Sequence, residues 1–190
     1  DKHHPCQAAA DMMTIAENFD ELSEIKVAWV GDGNNVLHDL MLGAASLGMK
    51  MHYAVPKGFE PDEKIVSRAK DIAKEMGGTV EMTHDPVEAV KDANVVYTDV
   101  FISMGEEHLK DKIEAFDGFQ VNEELVSNAD SNYIFMHCLP AHRGEEVTDG
   151  VIDSKNSVVF DQAENRMWAQ MSLLTFLVHP AAWEAFSELH

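Results

Sequence analysis

Residues 26–35, Lys26-Val-Ala-Trp-Val-Gly-Asp-Gly-Asn-Asn35, decide the fold class. The first five residues form a short apolar run, which is typical of a buried strand, and the Gly-Asp-Gly stretch predicts a tight turn. Residues 34–49 then carry apolar side chains at helical spacing. A buried strand that feeds a turn and a helix is the opening of a βαβ unit, which places parallel strands in one sheet.

The same alternation of strand and helix continues on both sides of this stretch. Strands are predicted at residues 51–55, 79–83, 94–98, 133–137 and 157–160, and helices at residues 8–19, 62–76, 86–91, 106–116, 122–128 and 162–178. Gly77-Gly78 supplies a helix end, and Asp85-Pro86 supplies a helix start. We therefore predict a three-layer α/β fold with an open, mainly parallel, Rossmann-like sheet and helices on both faces. The domain is expected to span residues 1–178, followed by a tail at 179–190.

Composition limits the possible partners and surroundings. The 190 residues are 45% hydrophobic, with 14 Lys plus Arg against 34 Asp plus Glu and a formal net charge of -20. Such a charge argues against nucleic acid and anionic membranes as partners. Cys6 and Cys138 do not resemble a disulfide framework, and no apolar stretch is long enough to span a membrane, so we expect a cytoplasmic protein. A start at Asp1 suggests a fragment, a processed chain or an engineered one.

The candidate site lies at the ends of three strands. In open α/β sheets, ligands bind beyond the carboxyl ends of the strands. The segments after the first, fourth and fifth strands are residues 31–35, 99–105 and 137–143, and all three are polar and marked by glycine or proline. We therefore expect these three segments to form one site.

The turn at residues 31–35 opens a helix, where free amide N–H groups favour an anion such as a carboxylate. The alternative is a tight turn in which Asn tolerates positive φ. The third glycine of a dinucleotide fingerprint is missing, and Ala54-Val-Pro56 stands where an acidic residue would end the second strand. These features argue against a nicotinamide-dependent oxidoreductase, and no cofactor is predicted.

The other segments offer polar groups whose roles stay open on sequence alone. Asp99 could bind an ammonium group with help from Ser103, although Ser103 could simply begin the next helix. Cys138 could be a nucleophile or a thiolate, or a small buried residue packed as a hydrophobe. Arg166 is suited to bidentate contact with an oxyanion, although such arginines are often surface residues.

Two further features concern the residues before the first helix. His4-Pro-Cys-Gln7 offers neutral donors for a carbonyl-like oxygen, although loop histidines often have no role. His3 and His4 are adjacent, a poor arrangement for binding one metal ion together. Because no HExxH or CxxC spacing is present, we predict no metal site.

Five segments, taken in order, resemble the successive signatures of the ornithine carbamoyltransferase family. They are HPCQ at 4–7, GDGNN at 31–35, TDVFISMG at 98–105, HCLPAHRGEEVTD at 137–149 and AENR at 163–166. The resemblance runs over about residues 1–177, and HCLP together with SMG distinguishes this family from its aspartate-using relatives. It implies transfer of a carbamoyl group from carbamoyl phosphate to the δ-amine of ornithine, giving citrulline and phosphate.

The resemblance also implies roles for the residues that bind ornithine. Asp99 and Ser103 match contacts to the α-ammonium group, whereas Asn35 and the backbone around Met104 match contacts to the α-carboxylate. Cys138 matches the cysteine beside the reacting δ-amine.

The remaining positions match groups that surround the reacting carbonyl. Leu139 matches the residue whose carbonyl oxygen lies near the δ-amine. His4, Gln7 and Arg166 match the residues that hold carbamoyl phosphate. Cys138, Arg166 and Asp99 are thus the residues expected to support the reaction. Proximity of the two substrates and stabilisation of the developing oxyanion are the effects available to it.

Other features depart from the family. The family's phosphate-binding Ser-x-Arg-Thr-Arg motif, which belongs to its amino-terminal domain, is absent from these residues. We therefore expect carbamoyl phosphate to bind only if that domain is supplied. Asp39 stands where a Ser is usual, and Phe101 where a Trp is usual. A charge at Asp39 puts the neighbouring carboxylate-binding turn in doubt.

Two hypotheses follow from the match and its departures. The first is an isolated ornithine-binding domain that retains at most weak binding of L-ornithine or an analogue and has little or no transferase activity alone. The second is an engineered interaction or assembly module built on the same domain. Exposed apolar faces on the helices at 8–19 and 162–178 would favour self-association or a partner protein.

Overall fold

A parallel five-stranded sheet forms the centre of the molecule in a computed structural model, which describes residues 2–102, 112–179 and 181. The strand order is β3-β2-β1-β4-β5, and every pairing is parallel. The open, Rossmann-like α/β sheet expected from the sequence is confirmed. The strands are β1 (Lys26–Val30), β2 (Lys50–Ala54), β3 (Thr79–Thr83), β4 (Val95–Thr98) and β5 (Ile134–His137).

Helices cover both faces of this sheet. Because successive strand residues point to opposite faces, Val27 and Trp29 pack in one core, whereas Ala28 and Val30 pack in the other. The three-layer arrangement is therefore confirmed. The helices are α1 (Pro5–Asn18), α2 (Asn35–Ser46), α3 (Glu63–Met76), α4 (Pro86–Val90), α5 (Lys112–Ala115), α6 (Glu123–Val126), α7 (Asp149–Ile152) and α8 (Val159–Val178), with a 3-10 turn at Leu22–Glu24.

Side-chain caps begin several of these helices. Asp62 accepts from the Lys64 amide at the start of α3, and Asp85 accepts from the Val87 amide at the start of α4. Gly77 ends α3 with φ 85°, a left-handed conformation that glycine adopts without a Cβ penalty. The helix-boundary signals at positions 77 and 85 are thus confirmed.

The sixth strand predicted at residues 157–160 is wrong. Ser157 makes one isolated bridge to Phe135, and α8 begins two residues later at Val159. Val159 is buried whereas Phe160 is 74% exposed. A short apolar run fits both a strand and the buried first turn of a helix, so the pattern alone does not separate them.

Parts of other predictions fall beyond the described residues. Of the helix predicted at 106–116, only residues 112–116 are described, and α5 ends at Ala115. Residues 180 and 182–190 of the predicted tail lie outside the described residues. The domain boundary at residue 178 stays a prediction. Within the described part of the chain, no helix is both long enough and apolar enough to cross a membrane.

The turn after β1 is held by the strand end beside it and by the loop after β2. The Gly31 amide donates to the Ala54 carbonyl (3.1 Å), and the Gly33 amide donates to the Phe59 carbonyl (2.9 Å). A Cβ on Gly33 would overlap the Phe59 oxygen and the Pro61 nitrogen. Glycine at this position therefore lets one loop rest directly on the other.

Replacing Gly33 by Ala should cost about 3 kcal/mol of unfolding free energy, because the backbone atoms that would clash cannot swing away as a flexible side chain can. Gly58→Ala is the matched control, since Gly58 has φ 90° and open space around it, and should cost about 1 kcal/mol from backbone strain alone. Urea unfolding measures both. Equal losses would show that the contact at Gly33 is unimportant.

Candidate functional site

The strand ends bring the segments after β1, β4 and β5 to one rim of the sheet. Thr98 pairs with His137, and the Thr98 hydroxyl donates to the Val30 carbonyl (2.6 Å). Asp99 therefore lies between the other two segments. Its Oδ2 accepts from the Asn34 amide (2.8 Å), and its Oδ1 accepts from the Cys138 thiol (3.0 Å). The predicted convergence of the three loops is found.

Asp99 is a buried carboxylate surrounded by neutral donors. It is 6% exposed, and its Oδ1 also accepts from the Val100 amide (2.8 Å). Among the described residues, its hydrogen-bond donors are an amide side chain, a thiol and a backbone amide. A buried anion without a cationic donor favours an incoming cation, because such a partner offsets the cost of removing the charge from water.

Cys138 is a protonated thiol in this arrangement. Burial, and then the Asp99 carboxylate beside it, raise the pKa of Cys138 far above its ordinary value. The thiol keeps its proton and donates a hydrogen bond to Asp99 Oδ1, rather than existing as a thiolate. A nucleophilic cysteine needs the thiolate, so the structure favours the packed, hydrogen-bonding alternative.

The first turn of α2 is occupied by the side chain of Asn34. Its Oδ1 accepts from the Val36 amide (3.0 Å) and the Leu37 amide (3.1 Å). The sequence prediction of free first-turn amides is wrong at these two positions, because the asparagine cap satisfies them. Asn35 is the first residue of the helix and is half-buried at the rim.

The loop after β5 is fixed by a buried imidazole. His137 is fully buried, and its Nδ1 accepts from the Leu139 amide (2.9 Å) while its Nε2 faces Glu146 Oε1 at 3.2 Å. Glu146 Oε1 also accepts from the His142 amide (2.6 Å). These bonds require a proton on Nε2 and hold the loop that carries Leu139, whose backbone is left-handed (φ 53°).

His4, Gln7 and Arg166 form a second part of the site. Arg166 Nη1 on α8 donates to the carbonyl oxygen of the Gln7 side chain on α1 (2.8 Å). Partial burial, and then the Arg166 guanidinium, lower the pKa of His4, while Asp99 and Asp39 act in the opposite direction. His4 is therefore a neutral imidazole at neutral pH, and it feels charges from both parts of the site.

Asp39 points toward the segment that precedes α1. Its Oδ1 lies 2.7 Å from His3 Nδ1, and its Oδ2 accepts from the His4 amide (2.5 Å). His38 Nδ1 lies 2.9 Å from the Lys2 carbonyl and fastens the same segment. The charge at Asp39, a departure noted in the sequence, thus serves to hold the chain leading to His4.

Some of the residues predicted to bind ornithine lie in the described part of the chain, and others do not. Cys138, Leu139, Asn35 and Asp99 lie along one rim, whereas Ser103 and Met104 lie outside the described residues. The roles assigned to all of these residues by resemblance stay predictions.

Sequence reasoning missed a buried layer beneath the rim. Asp11 is fully buried and bonds to Gln7 (2.9 Å), Gln162 (2.7 Å) and the Tyr97 hydroxyl (3.2 Å). One signal was present: Asp11 stands four residues after Gln7 on the same face of α1. The contacts with Tyr97 and Gln162 depend on tertiary packing, which no local pattern records.

Burial raises the pKa of Asp11 from 3.8 to about 7, although the hydrogen bonds from Gln7, Gln162 and Tyr97 and the charge of Arg166 act to lower it. The desolvation of the carboxylate thus exceeds the help that these neighbours provide. Asp11 is consequently close to half-protonated at neutral pH.

Two groups of described residues bring metal-ligating atoms within 4.8 Å of one another. They are Asp99 with His137 and Cys138, and His142 with Glu145 and Glu146. Both His137 ring nitrogens already face partners, so a metal there would have to displace one of these contacts. In the second group, Glu146 Oε1 already accepts from the His142 amide and faces His137, so a metal would have to displace a contact there too. We propose no metal at either group.

These features define a Rossmann-like α/β domain with a small polar site along one rim of its sheet. Residues 23–177 match the family model described as "Aspartate/ornithine carbamoyltransferase, Asp/Orn binding domain". The chain belongs to this family.

Named relatives and solved structures agree with this assignment. The chain is 57% identical over 175 residues to a catabolic ornithine carbamoyltransferase of Thermoplasma acidophilum, covering 92% of this chain and 57% of that protein. The ornithine carbamoyltransferase structure from Pyrococcus furiosus superposes with a TM-score of 0.89 at 56% identity, covering 92% and 56% of the two chains.

A more distant structure shows the same fold. Ornithine transcarbamoylase from Giardia lamblia gives a TM-score of 0.86 at 36% identity over 94% of this chain and 61% of that one. The chain therefore spans somewhat more than half the length of the relatives that it matches.

Asp11→Asn tests the buried carboxyl. The folded protein retains the Asp11 proton in the range where the unfolded chain has lost it, so this group's contribution to stability is complete below about pH 4 and is lost as the pH rises to about 7. Relative to Asp11→Asn, the wild-type chain should lose on the order of 4 kcal/mol of unfolding free energy across that range. Urea unfolding at a series of pH values measures the difference, and parallel curves would contradict the pKa of Asp11.

Proposed function

We propose that this chain is the ornithine-binding domain of an ornithine carbamoyltransferase. The buried Asp99 carboxylate, which has neutral donors but no cationic one among the described residues, is the observation that carries the proposal. Its environment suits the α-ammonium group of an amino acid, because a buried carboxylate gains most from a charged donor. The family assignment supplies ornithine as the substrate to test.

The neighbouring groups support a site for a second amine as well. The Cys138 thiol lies 3.0 Å from Asp99, and Leu139 follows it on a loop held by His137. The proposed roles of the thiol and the Leu139 carbonyl are to contact the δ-amine and keep its lone pair directed at the carbamoyl carbon. Asn35, Ser103 and the backbone at Met104 complete the proposed contacts to the α-groups.

The carbonyl of carbamoyl phosphate would lie against His4, Gln7 and Arg166. Transfer needs a new bond from the δ-nitrogen to the carbamoyl carbon and cleavage of the carbon–oxygen bond to phosphate. The nitrogen loses a proton, which the phosphate can accept as it departs with the electron pair of the broken carbon–oxygen bond. A neutral His4 can donate a hydrogen bond to the carbonyl oxygen while the Arg166 guanidinium stabilises the negative charge that develops there.

These residues offer few favourable contacts for the phosphate group of carbamoyl phosphate. The net charge of -20 opposes a dianion, and the chain spans 57% of the first relative. We therefore propose that carbamoyl phosphate binds only when the rest of the enzyme is supplied, and that the isolated chain has little or no transferase activity. The proposed setting is the cytoplasm, where the unpaired Cys6 and Cys138 would remain reduced.

Calorimetric titration with L-ornithine should give saturable heat, and Asp99→Asn should weaken binding roughly 30-fold, since an unpaired buried ammonium loses about 2 kcal/mol. Norvaline, which lacks the δ-amine, should bind through its α-groups alone. Asp71→Asn, which alters an exposed carboxylate on α3, is the matched control and should bind as the wild-type chain does.

The same preparation should form no citrulline above the uncatalysed rate when carbamoyl phosphate is added. Heat that is absent, or equal for wild type and Asp99→Asn, would refute the ornithine site. Turnover at the rate of an intact enzyme would refute the need for the remaining part.

A second candidate is an interaction or assembly module, the alternative raised by the sequence. The outer half of α8 is apolar and exposed: Met171 is 50% exposed, Leu174 59% and Leu177 62%. Such a face favours association, because covering it removes apolar surface from water. The exposed face of the helix at 162–178 is the proposed contact surface. The expectation of an apolar face on the helix at 8–19 is wrong, because Ile15 is buried and Met12 packs against the core.

Sedimentation over a range of protein concentrations tests this candidate. The wild-type chain should associate as concentration rises, and Leu174→Glu should weaken association by placing a charge in the apolar face. Ser172→Glu adds the same charge at an exposed polar position on the same helix and is the control. A wild-type monomer at high concentration would exclude self-association.

A further inference from the structure

A continuous set of side-chain hydrogen bonds lies beneath the rim, between α1, β4 and α8. Asp11 stands at its centre and is completely buried. Its Oδ1 accepts from the side-chain amides of Gln7 (2.9 Å) and Gln162 (2.7 Å). The Tyr97 hydroxyl lies 3.2 Å from its Oδ2. The proposed catalytic roles above make no use of this carboxyl group.

Asp11 fixes the direction of the Gln7 amide. Whether Asp11 is ionised or carries a proton on Oδ2, its Oδ1 accepts hydrogen bonds, so the Gln7 nitrogen faces Asp11 and the Gln7 oxygen faces away. That oxygen accepts from Arg166 Nη1 at 2.8 Å. If the amide were reversed, its NH₂ group would face the guanidinium, which also has only donors. The position of Arg166 therefore depends on which way Gln7 points.

Asp11 fixes the direction of Gln162 in the same way. The Gln162 nitrogen donates to Asp11 and to the Tyr97 hydroxyl (2.9 Å). The Gln162 oxygen is then free to accept from the backbone amide of His137 (2.9 Å). His137 is the last residue of β5 and immediately precedes Cys138. One carboxyl group thus directs two amides, one toward each part of the site.

We propose that Asp11 is a positioning residue that sets the orientation of Gln7 and Gln162 and so holds Arg166 and the Cys138 end of β5 in fixed relation. Its importance for carbamoyl transfer rests on the proposed function, in which Arg166 and Cys138 serve the two substrates. The hydrogen-bond directions themselves do not depend on that function.

The two oxygens of Asp11 have separable tasks, which guides the choice of variants. Oδ1 receives both amides and lies 3.3 Å from the Tyr97 oxygen, whereas Oδ2 lies 3.2 Å from that oxygen and receives neither amide. Asparagine at position 11 can retain the oxygen toward both amides and place its NH₂ group toward the Tyr97 oxygen. Leucine has a similar size but no acceptor. Asp11→Asn should therefore preserve the orientation, and Asp11→Leu should abolish it.

Side-chain NMR of the folded chain provides the test. In the wild type and in Asp11→Asn, the NH₂ protons of Gln7 and Gln162 should exchange slowly with water, and the Arg166 guanidinium should rotate slowly about its Nε–Cζ bond. In Asp11→Leu, the exchange of both amides and the rotation of Arg166 should accelerate by roughly tenfold or more. The backbone amide of His137 should lose protection as well.

Thr14→Val is the control for general loosening of the α1–α8 contact. The Thr14 hydroxyl is also buried on α1 and accepts from the Asn165 amide on α8 (3.0 Å), but its hydrogen bonds do not include Asp11, Gln7 or Gln162. This variant should lose stability while leaving the Gln7 and Arg166 signals as in the wild type. If Asp11→Leu does not fold, Asp11→Ala removes the same acceptor with less crowding.

Two results would overturn the proposal. The first is wild-type exchange and rotation at Gln7 and Arg166 in a folded variant that lacks the acceptor. The second is an equal change in Thr14→Val, which would reveal mere loosening. Absence of ornithine heat in the wild-type chain would instead refute the proposed function and leave the NMR comparison valid, so the two failures are distinguishable.

Discussion

The site depends on the register of three parallel strands, which brings their carboxyl ends to the same edge of the sheet. β1, β4 and β5 are neighbours, and their register places Trp29 opposite Tyr97 and Thr98 opposite His137. A slip of one residue would turn Asp99 toward the opposite face of the sheet, because strand side chains alternate. Buried side chains on both faces of the strands resist such a slip. The two apolar cores therefore determine where the polar groups meet.

Polar groups beneath the rim are stabilised by mutual hydrogen bonds rather than by opposite charges. Asp11, Tyr97 and Gln162 are all fully or almost fully buried, and each has partners among the others. Loss of one member of such a buried polar layer destabilises the fold, because the remaining groups are left without a hydrogen-bond partner and cannot reach water. It also specifies how α1 and α8 must be aligned, which apolar contacts alone would leave less strictly defined.

The sequence predicts elements with strong local signals and fails where tertiary contacts decide. The glycines of residues 31–35 predict a turn, and the turn is found, with φ 148° at Gly31 and no room for a Cβ at Gly33. The alternative of positive φ at an asparagine is not found, because Asn34 has φ -87° and caps α2. Residues 157–160 form a bridge and a helix start, since α8 packs against α1 and β5 and draws Val159 into the helix. The resemblance points to Asn35 as a ligand contact, which stays a prediction, and the contact of the adjacent Asn34 with Asp99 is not predicted. Adjacent asparagines differ only in backbone geometry, which composition does not report.

Asn34 links the shape of the rim to the rigidity of a helix. One end of its amide group caps α2 through two backbone amides, and the other end reaches Asp99. The cap restricts rotation of the Asn34 side chain, and Asn34 in turn donates to Asp99. The Asp99 carboxylate is therefore held in one orientation before a ligand binds. A cation that binds there has little conformational entropy to remove from the protein, so more of its interaction energy remains as affinity. An ordinary helix cap thereby makes the anion beside it a preorganised receptor.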